Sequence, residues 1–350
     1  MTRVAAAVAA AAWAACSAAA PPADLTAGYA RARAGDVDGA LAAFRAAGAR
    51  CADAPSRHPT PPDCARALLA EAALLADDGR TAEAIAAYEA IDARTHGDPA
   101  PSAEAWFQAG RLAYQADQVD RAARDLWRVI DGYPDEAFAG DAVDFIVRRA
   151  RADAPRAVWA RLRDAYQRLS DTDVADNLLW ALADLAAHEL AEPATAIELY
   201  DRIPIDHPTS GLRDDARWRA AQLARAHGDP AGAVRRLRGL LATREVAFGT
   251  GSYFSVWLDD AQLALGRILR DDLHDTAGAE VAFARLPRDY PRSILVDDAL
   301  AELAATQEQR GDRAGACASA RRLITVEPAS RFVAAARDRV ARLGCPEAGR

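Results

Sequence analysis

A six-residue phrase recurs along this chain, and it constrains the fold more than any other feature. The phrase reads GDVDGA at 35–40, GDPAGA at 228–233 and GDRAGA at 311–316, and more divergent copies lie between these. Neighbouring copies are 35 to 46 residues apart, measured between the alanines that end them. These alanines are Ala40, Ala84, Ala122, Ala157, Ala196, Ala233, Ala279 and Ala316. A period of this length, with a helix on each side of a turn, is typical of a helix–turn–helix solenoid, a class that usually binds other macromolecules.

Small and bulky residues also recur at fixed positions within a repeat. The third repeat shows the pattern most fully, with Trp106, Gly110, Ala122, Leu126 and Pro134. In this order of residue types the chain resembles tetratricopeptide-repeat proteins, over about residues 24–343. The resemblance implies an all-α, right-handed solenoid of about eight helix–turn–helix repeats with a C-terminal capping helix. The small residues would let the two helices of a repeat approach closely, and the proline would end the second helix.

The fourth repeat departs from the family pattern. Arg161 stands where the family has an aromatic residue or leucine. The register of the second helix in this repeat is therefore left open.

The charge of the chain argues against a nucleic-acid partner. All 43 basic residues are arginine, the formal net charge is −8, and the isoelectric point is near 5.4. A protein that binds nucleic acid normally carries a basic stripe instead. Alanine, leucine and arginine are frequent, which favours helices throughout.

The N-terminus predicts export. Arg3 precedes a modest apolar run, and Ala14-Ala15-Cys16 resembles the cleavage motif of bacterial lipoproteins, although Trp13 departs from the usual leucine. We therefore expect a signal peptide over 1–15, lipidation of Cys16 and a flexible tether over 16–23. Two alternatives stay open, namely ordinary signal-peptide cleavage at a site up to Ala20 and an alanine-rich helix on a cytoplasmic protein.

Five cysteines fit the same compartment. If Cys16 is lipidated, four remain, an even number that permits three disulfide pairings. The pairing closest along the chain joins Cys51 to Cys64, which bracket an insert, and Cys317 to Cys345 at the C-terminus. The alternative is four free cysteines that act as small core residues.

No catalytic or metal-binding constellation is apparent in the sequence. The six histidines are scattered, mostly near turns, and Gly249-Thr250-Gly251 lacks the strand and helix that a phosphate-binding loop requires. We therefore expect no enzymatic activity, no cofactor, no metal and no small-molecule substrate. Acidic pairs such as Asp214-Asp215 and Asp297-Asp298 recur near the start of first helices. They complement the helix dipole in one interpretation and form acidic spots for a basic partner in the other.

The resemblance also implies where a partner would bind, because in this family the first helix of each repeat lines the concave face. In the third repeat the matching positions are Glu104, Phe107, Arg111 and Gln115, and in the sixth they are Asp215, Trp218, Gln222 and Arg225. We predict Phe107, Arg111, Trp218 and Arg225 as partner-binding residues. Trp106 and Trp180 are interpreted as core. A second insert contains Phe248, Tyr253 and Phe254, which either contact a partner or pack locally.

These features predict a repeat domain over 24–343 with inserts at 51–63 and 244–255, followed by a C-terminal tail over 344–350. The breaks at Tyr133-Pro134, His207-Pro208 and Tyr290-Pro291 are similar to those of outer-membrane assembly lipoproteins and cell-envelope division coordinators. The resemblance implies a lipid-anchored scaffold on the outer membrane, facing the periplasm, that binds other envelope proteins or peptides. A soluble periplasmic adaptor and a regulatory subunit of a cell-wall enzyme remain alternatives.

Overall fold

The protein is an α-solenoid of helix–turn–helix repeats. The computed structural model describes residues 23–49, 61–150, 154–242, 245–247, 251–253 and 255–346. The predicted signal peptide, Cys16 and Cys51 lie outside the described residues. The chain divides into two compact units, residues 1–181 and 182–350, and the boundary falls within one helix, Ala175–His188.

The first unit contains four complete helix pairs, and the second helix of the second pair is split in two. These helices are α1 Ala23–Arg33, α2 Val37–Ala49, α3 Pro62–Asp77, α4 Thr81–Glu89, α5 Ile91–Arg94, α6 Pro99–Gln115, α7 Val119–Gly132, α8 Ala137–Ala150 and α9 Pro155–Leu169. The next helix, α10 Ala175–His188, contains the boundary between the units.

The second unit completes the fifth repeat and adds three more, followed by a single terminal helix. Its helices are α11 Pro193–Asp206, α12 Arg213–Ala226, α13 Pro230–Ala242, α14 Leu258–Asp271, α15 Thr276–Asp289, α16 Val296–Gln309, α17 Arg313–Val326 and α18 Val333–Arg342. The eight pairs found among the described residues and the terminal helix α18 confirm the predicted repeat number and cap. The predicted prolines Pro134, Pro208, Pro291 and Pro328 each follow directly after a second helix has ended.

The recurring phrase begins with a residue in the left-handed backbone conformation. In four repeats this residue is glycine, with φ near +80° at Gly35, Gly79, Gly228 and Gly311. In three repeats the same position holds Asp117, Ala191 or His274, with φ of 54° to 57°. Glycine adopts this conformation without the steric cost that other residues incur, so the phrase encodes the turn between the two helices.

The second and fifth residues of the phrase cap the helix that follows. The carboxylate of Asp229 accepts a hydrogen bond from the backbone N–H of Gly232 at 2.8 Å, and Asp312 accepts one from Gly315 at 2.9 Å. A side chain at Gly232 or Gly315 would collide with that carboxylate. In these copies of the phrase the aspartate is therefore an N-cap that is accommodated by the glycine three positions later, whereas Arg80, Gln118 and Glu192 occupy the same position in other copies without a side-chain cap.

Close packing of small against bulky residues holds the two helices of a repeat together. Gly28 on α1 lies against the ring of Phe44 on α2, and Gly266 on α14 lies against the ring of Phe283 on α15. An added Cβ atom at Gly110 on α6 would lie 2.8 Å from Cγ of Leu126 on α7. Phe44 and Phe283 are fully buried, so these contacts form the core of each repeat.

Arg161 replaces the expected aromatic residue in the fourth repeat without disrupting its second helix. Its guanidinium lies over the ring of Trp127, 4.0 Å from the ring centroid. The aliphatic stem and planar head of arginine can cover an aromatic surface much as a ring would. The helix α9 is continuous from Pro155 to Leu169.

Two local features complete the second unit. The second insert contains a short antiparallel strand pair, β1 Glu245–Ala247 and β2 Gly251–Tyr253, which the all-α expectation did not include. At the C-terminus a disulfide joins Cys317 on α17 to Cys345, with 5.6 Å between the Cα atoms. The Cys317–Cys345 pairing is therefore present, whereas the Cys51–Cys64 pairing stays a prediction because Cys51 lies outside the described residues.

None of the helices in the described part of the chain combines the length and the apolar character that crossing a membrane requires.

Candidate partner-binding groove

A surface groove in the first unit lies between α6 and α8, the first helices of the third and fourth repeats. It has a volume of about 940 Å³. Its lining residues are Phe107, Arg111, Asp141, Phe145, Arg148 and Arg149. Two of the four predicted partner-binding residues, Phe107 and Arg111, therefore lie together at this groove.

Two aromatic pairs bridge the helices along the groove. The rings of Phe107 and Phe138 have their centroids 5.5 Å apart, and so do those of Tyr114 and Phe145. On each helix the two aromatic residues are seven positions apart, which corresponds to two helical turns and about 10 Å along the groove. One ring of each pair, Phe107 or Phe145, lines the groove, which thus offers two aromatic sites at a fixed distance from each other.

Arginine side chains lie across these aromatic pairs. The guanidinium of Arg149 is 4.7 Å from the Tyr114 ring centroid and 5.4 Å from that of Phe145. The guanidinium of Arg111 is 5.8 Å from the Phe107 centroid and donates a hydrogen bond to Gln108 at 2.8 Å. Cation–π contacts of this kind orient the guanidinium without neutralising its charge.

Arg111 and Arg149 have no carboxylate partner among the described residues, whereas Arg148 lies 3.4 Å from Asp144. Of the described residues, Asp141 is the one acidic residue in the lining, and it is exposed. The groove is therefore locally positive on a chain whose formal net charge is −8.

The remaining predicted positions of the third repeat differ from each other in environment. Glu104 is half-buried, and burial raises the pKa of its carboxyl group above the usual value. Burial also raises the pKa of Tyr29, the positive charge of Arg66 opposes this increase, and the negative charge of Glu104 adds to it. Gln115, at the end of α6, is exposed.

The predicted residues of the sixth repeat are engaged within the second unit. Trp218 is 8% exposed and stacks on Trp257, with 5.3 Å between ring centroids and 15° between planes. Arg225 forms an ion pair with Asp272 at 2.7 Å. A role in partner binding stays a prediction for both residues, but their aromatic and charged groups already have partners within the fold.

Ion pairs also link the first helices of later repeats. Arg267 on α14 contacts Asp298 and Glu302 on α16 at 3.2 and 2.9 Å, and Arg270 contacts Glu302 at 2.5 Å. Glu308 on α16 pairs in turn with Arg339 of α18. The first helices of the second unit thus neutralise much of their own charge, whereas among the described residues Arg111 on α6 and Arg149 on α8 have no carboxylate partner.

The recurring acidic pairs belong to this structural network. Asp215 accepts a hydrogen bond from the indole N–H of Trp257 at 2.9 Å, Asp259 accepts one from Ser293, and Asp297 accepts one from Ser330. Each bond joins the start of one first helix to the loop that precedes the next. These carboxylates therefore connect successive repeats, a role that neither interpretation of the sequence had included.

The sequence did not identify Phe145 or Arg149 as groove residues, nor Phe138 and Tyr114 as the aromatic partners of Phe107 and Phe145. The available signal was the shared seven-residue spacing of the aromatic residues on both helices. Trp106 and Trp180, interpreted as core, are half-buried. The indole N–H of Trp106 donates a hydrogen bond to Asp92 at 3.0 Å, so this ring lies at the edge of the core with its polar atom satisfied.

Within the described residues, no group of three or more histidine, cysteine, aspartate or glutamate side chains is arranged to hold a metal ion.

No protein-family model matches this sequence, and no curated protein sequence matches it. Solved structures of tetratricopeptide-repeat proteins are similar to it at low sequence identity. One is the C-terminal part of a TPR repeat-containing protein from Cytophaga hutchinsonii, with 14% identity and a TM-score of 0.46, covering 78% of this chain and 99% of that chain. Another is YrrB, described as a TPR protein with an unusual peptide-binding site. It has 11% identity and a TM-score of 0.36, covering 72% of this chain and 97% of that chain. A further solved structure that is similar to this chain is the human IFIT1 dimer with PPP-AAAA, with 13% identity and a TM-score of 0.41, covering 92% of this chain and 82% of that chain.

The repeats, their turns and their caps define the class to which this chain belongs, that of α-helical repeat proteins. This assignment rests on the chain's own helices and on the packing of its turns.

Proposed function

We propose that this protein is a lipid-anchored periplasmic scaffold that binds other envelope proteins or peptides through the groove between α6 and α8. The observation that carries the binding role is a groove beside two aromatic pairs, with two arginines that have no carboxylate partner in the part of the chain that the structure describes. Aromatic and arginine side chains contribute disproportionately to binding energy at protein interfaces. The proposed role requires no catalytic chemistry.

The sequence of the N-terminus and the C-terminal disulfide support the location. Ala14-Ala15-Cys16 resembles a lipoprotein cleavage motif, and Ser17 is not the aspartate that resembles an inner-membrane retention signal. Disulfides persist in oxidising compartments such as the bacterial periplasm, and Cys317–Cys345 is one. An outer-membrane lipoprotein that faces the periplasm accounts for these features together.

Mass spectrometry of the mature N-terminus tests the anchor. We expect an acylated cysteine at position 16, and a Cys16→Ala variant should accumulate as uncleaved precursor. At least two acyl chains are expected, because a single chain anchors a protein only reversibly. A free amino terminus between Ala18 and Pro21 would instead favour the soluble periplasmic adaptor, and an intact Met1 would exclude export by this signal.

Affinity isolation from membranes of the native host tests the binding role. The baits are the wild-type protein, an Arg111→Glu/Arg149→Glu variant and an Arg163→Glu control. Arg163 is a suitable control because it lies on α9 of the same unit and its guanidinium is 5.5 Å from the Trp159 ring centroid. We expect one set of proteins to be recovered with the wild type and the control but lost with the double variant. Recovery of the same proteins with all three baits would place binding elsewhere.

A further inference from the structure

We infer that the groove between α6 and α8 binds an acidic segment of its partner, with apolar side chains on the two aromatic pairs and carboxylates on Arg111 and Arg149. This inference rests on the proposed function and names the chemistry of the partner. It follows from the charge balance of the groove and from the spacing of its aromatic pairs.

The charge balance selects an anionic partner. Arg225, Arg267 and Arg270 of the second unit all form ion pairs with carboxylates. In the groove, Arg111 and Arg149 lie over aromatic rings instead, and no carboxylate pairs with either among the described residues. Guanidinium groups bind carboxylates through two parallel hydrogen bonds, so an acidic segment would supply the missing partners.

The geometry selects a short peptide that also carries apolar side chains. The two aromatic pairs lie about 10 Å apart, from the rise of the helices that hold them. In a polyproline II segment, side chains three residues apart lie on the same side and about 9 Å from each other. A segment with two apolar residues at this spacing and acidic residues beside them therefore reaches both aromatic pairs and both arginines.

Asp141 limits how acidic the segment can be at the centre of the groove. This exposed carboxylate lies in the lining and would repel a carboxylate placed directly above it. It can accept a hydrogen bond from a backbone N–H of the segment instead. A long polyanion such as single-stranded RNA is a less suitable occupant, because the surrounding chain has a formal net charge of −8.

A selection from random twelve-residue peptides displayed on phage tests this inference with the full mature protein. We expect enriched peptides to carry net negative charge and two apolar residues three positions apart. The best peptide is then synthesised, and its affinity is measured by calorimetry beside a version in which aspartate and glutamate are replaced by asparagine and glutamine. The amide version should bind at least about tenfold more weakly, and binding should weaken as salt increases from about 50 to about 200 mM.

Variants of the protein locate the binding site. Arg111→Gln and Arg149→Gln should each weaken binding of the acidic peptide by about fivefold to tenfold, and Arg163→Gln should leave it unchanged. Circular dichroism melting of each variant separates a loss of binding from a loss of fold.

Several results would overturn the inference. These are the absence of any enriched peptide, enrichment of neutral or basic peptides, equal affinity for the acidic and amide versions, and binding that survives both arginine substitutions. Tighter binding of a single-stranded oligoadenylate than of the acidic peptide, lost with Arg111→Gln, would identify a nucleic-acid site instead. If membrane proteins still depend on the groove for capture while acidic peptides fail, the scaffold function stands and only the acidic chemistry is wrong.

Discussion

At the scale of single residues, the environment of a side chain decides whether it is available to a partner. Phe107 and Trp218 occupy the same position of their repeats and are similarly buried, at 9% and 8% exposed. Phe107 borders a groove beside Arg111, which has no carboxylate partner within the described ranges, whereas Trp218 is stacked on Trp257 within the core of the second unit. The repeat pattern alone could not distinguish them, because the difference comes from residues on the neighbouring repeat.

Asp125 on α7 provides a second example of a residue whose environment the repeat pattern does not reveal. Its side chain is 1% exposed, and its Oδ2 atom has no hydrogen-bond partner among the described residues. Burial, together with the negative charge of Glu89, raises the pKa of Asp125 to about 6. Between about pH 4 and pH 6, the Asp125 carboxyl group is therefore protonated in the folded state and ionised in the unfolded state.

We predict that Asp125→Asn raises the free energy of unfolding by about 1–2 kcal/mol above pH 6. Asparagine has nearly the same shape as aspartate, and it places no charge in the buried site. In the wild type this group makes stability decrease as pH rises from about 4 to about 6, and the variant should lose that slope. Urea unfolding at several pH values measures both effects. Asp120→Asn, an exposed site on the same helix, is the control and should change stability by no more than about 0.5 kcal/mol. A variant less stable than the wild type at pH 8 would contradict the prediction.

At the scale of helices and turns, the sequence predicted the repeats well because each one carries its own local signals. The left-handed residue and the aspartate cap act over a few positions, and they can be read from the chain directly. The small and bulky residues that pack together are 16 or 17 positions apart but recur in every pair that was identified, so the repeat itself reveals them. The strand pair Glu245–Ala247 with Gly251–Tyr253 was not predicted, because the insert lacks the repeat pattern. Arg161 was visible as a departure, but its contact with Trp127 requires knowledge of a helix 34 positions away in sequence.

The left-handed position of the turn yields a stability prediction. Ala191 occupies it with φ of 54°, where a side chain is unfavourable. We predict that Ala191→Gly raises the free energy of unfolding by about 0.5–1 kcal/mol, since the relief exceeds the added entropy of the unfolded chain. Ala116→Gly, at a position with φ of −94°, should instead lower it by a similar amount. Thermal melting of the two variants gives the comparison, and a destabilised Ala191→Gly protein would show that the turn does not favour glycine there.

The packing of glycine against bulky residues yields a second stability prediction. We predict that Gly266→Ala lowers the free energy of unfolding by about 1–3 kcal/mol, because its Cβ atom would collide with the buried Phe283 ring. Gly239→Ala is the matched control within α13, where an added Cβ atom would lie 4.0 Å from Nε of Arg217. The control should be neutral or stabilising by up to about 1 kcal/mol, because alanine has the higher helix propensity. Equal effects of the two substitutions would mean that close helix approach is not what glycine provides at Gly266.

At the scale of the whole molecule, length, charge and period predicted the class, but not the position of the binding groove. The formal net charge of −8 hides a local excess of positive charge between α6 and α8. That excess depends on which arginines find carboxylates on adjacent repeats, and such pairing is a property of the assembled helices. Phe107 and Arg111 were predicted from their repeat positions. Phe145 and Arg149 can be assigned to the groove only from the packing of α8 beside α6.

Site-specific photo-crosslinking in the native host tests most directly whether a partner occupies this groove. A photoreactive p-benzoylphenylalanine replaces Asp141 in the groove or, as a matched control, Asp164, an exposed aspartate on α9 of the same unit. We expect a discrete adduct with a second protein on illumination of the Asp141 variant and none with the Asp164 variant. An adduct formed equally from both positions, or from the Asp164 position alone, would contradict the proposal that the groove between α6 and α8 is the partner-binding site.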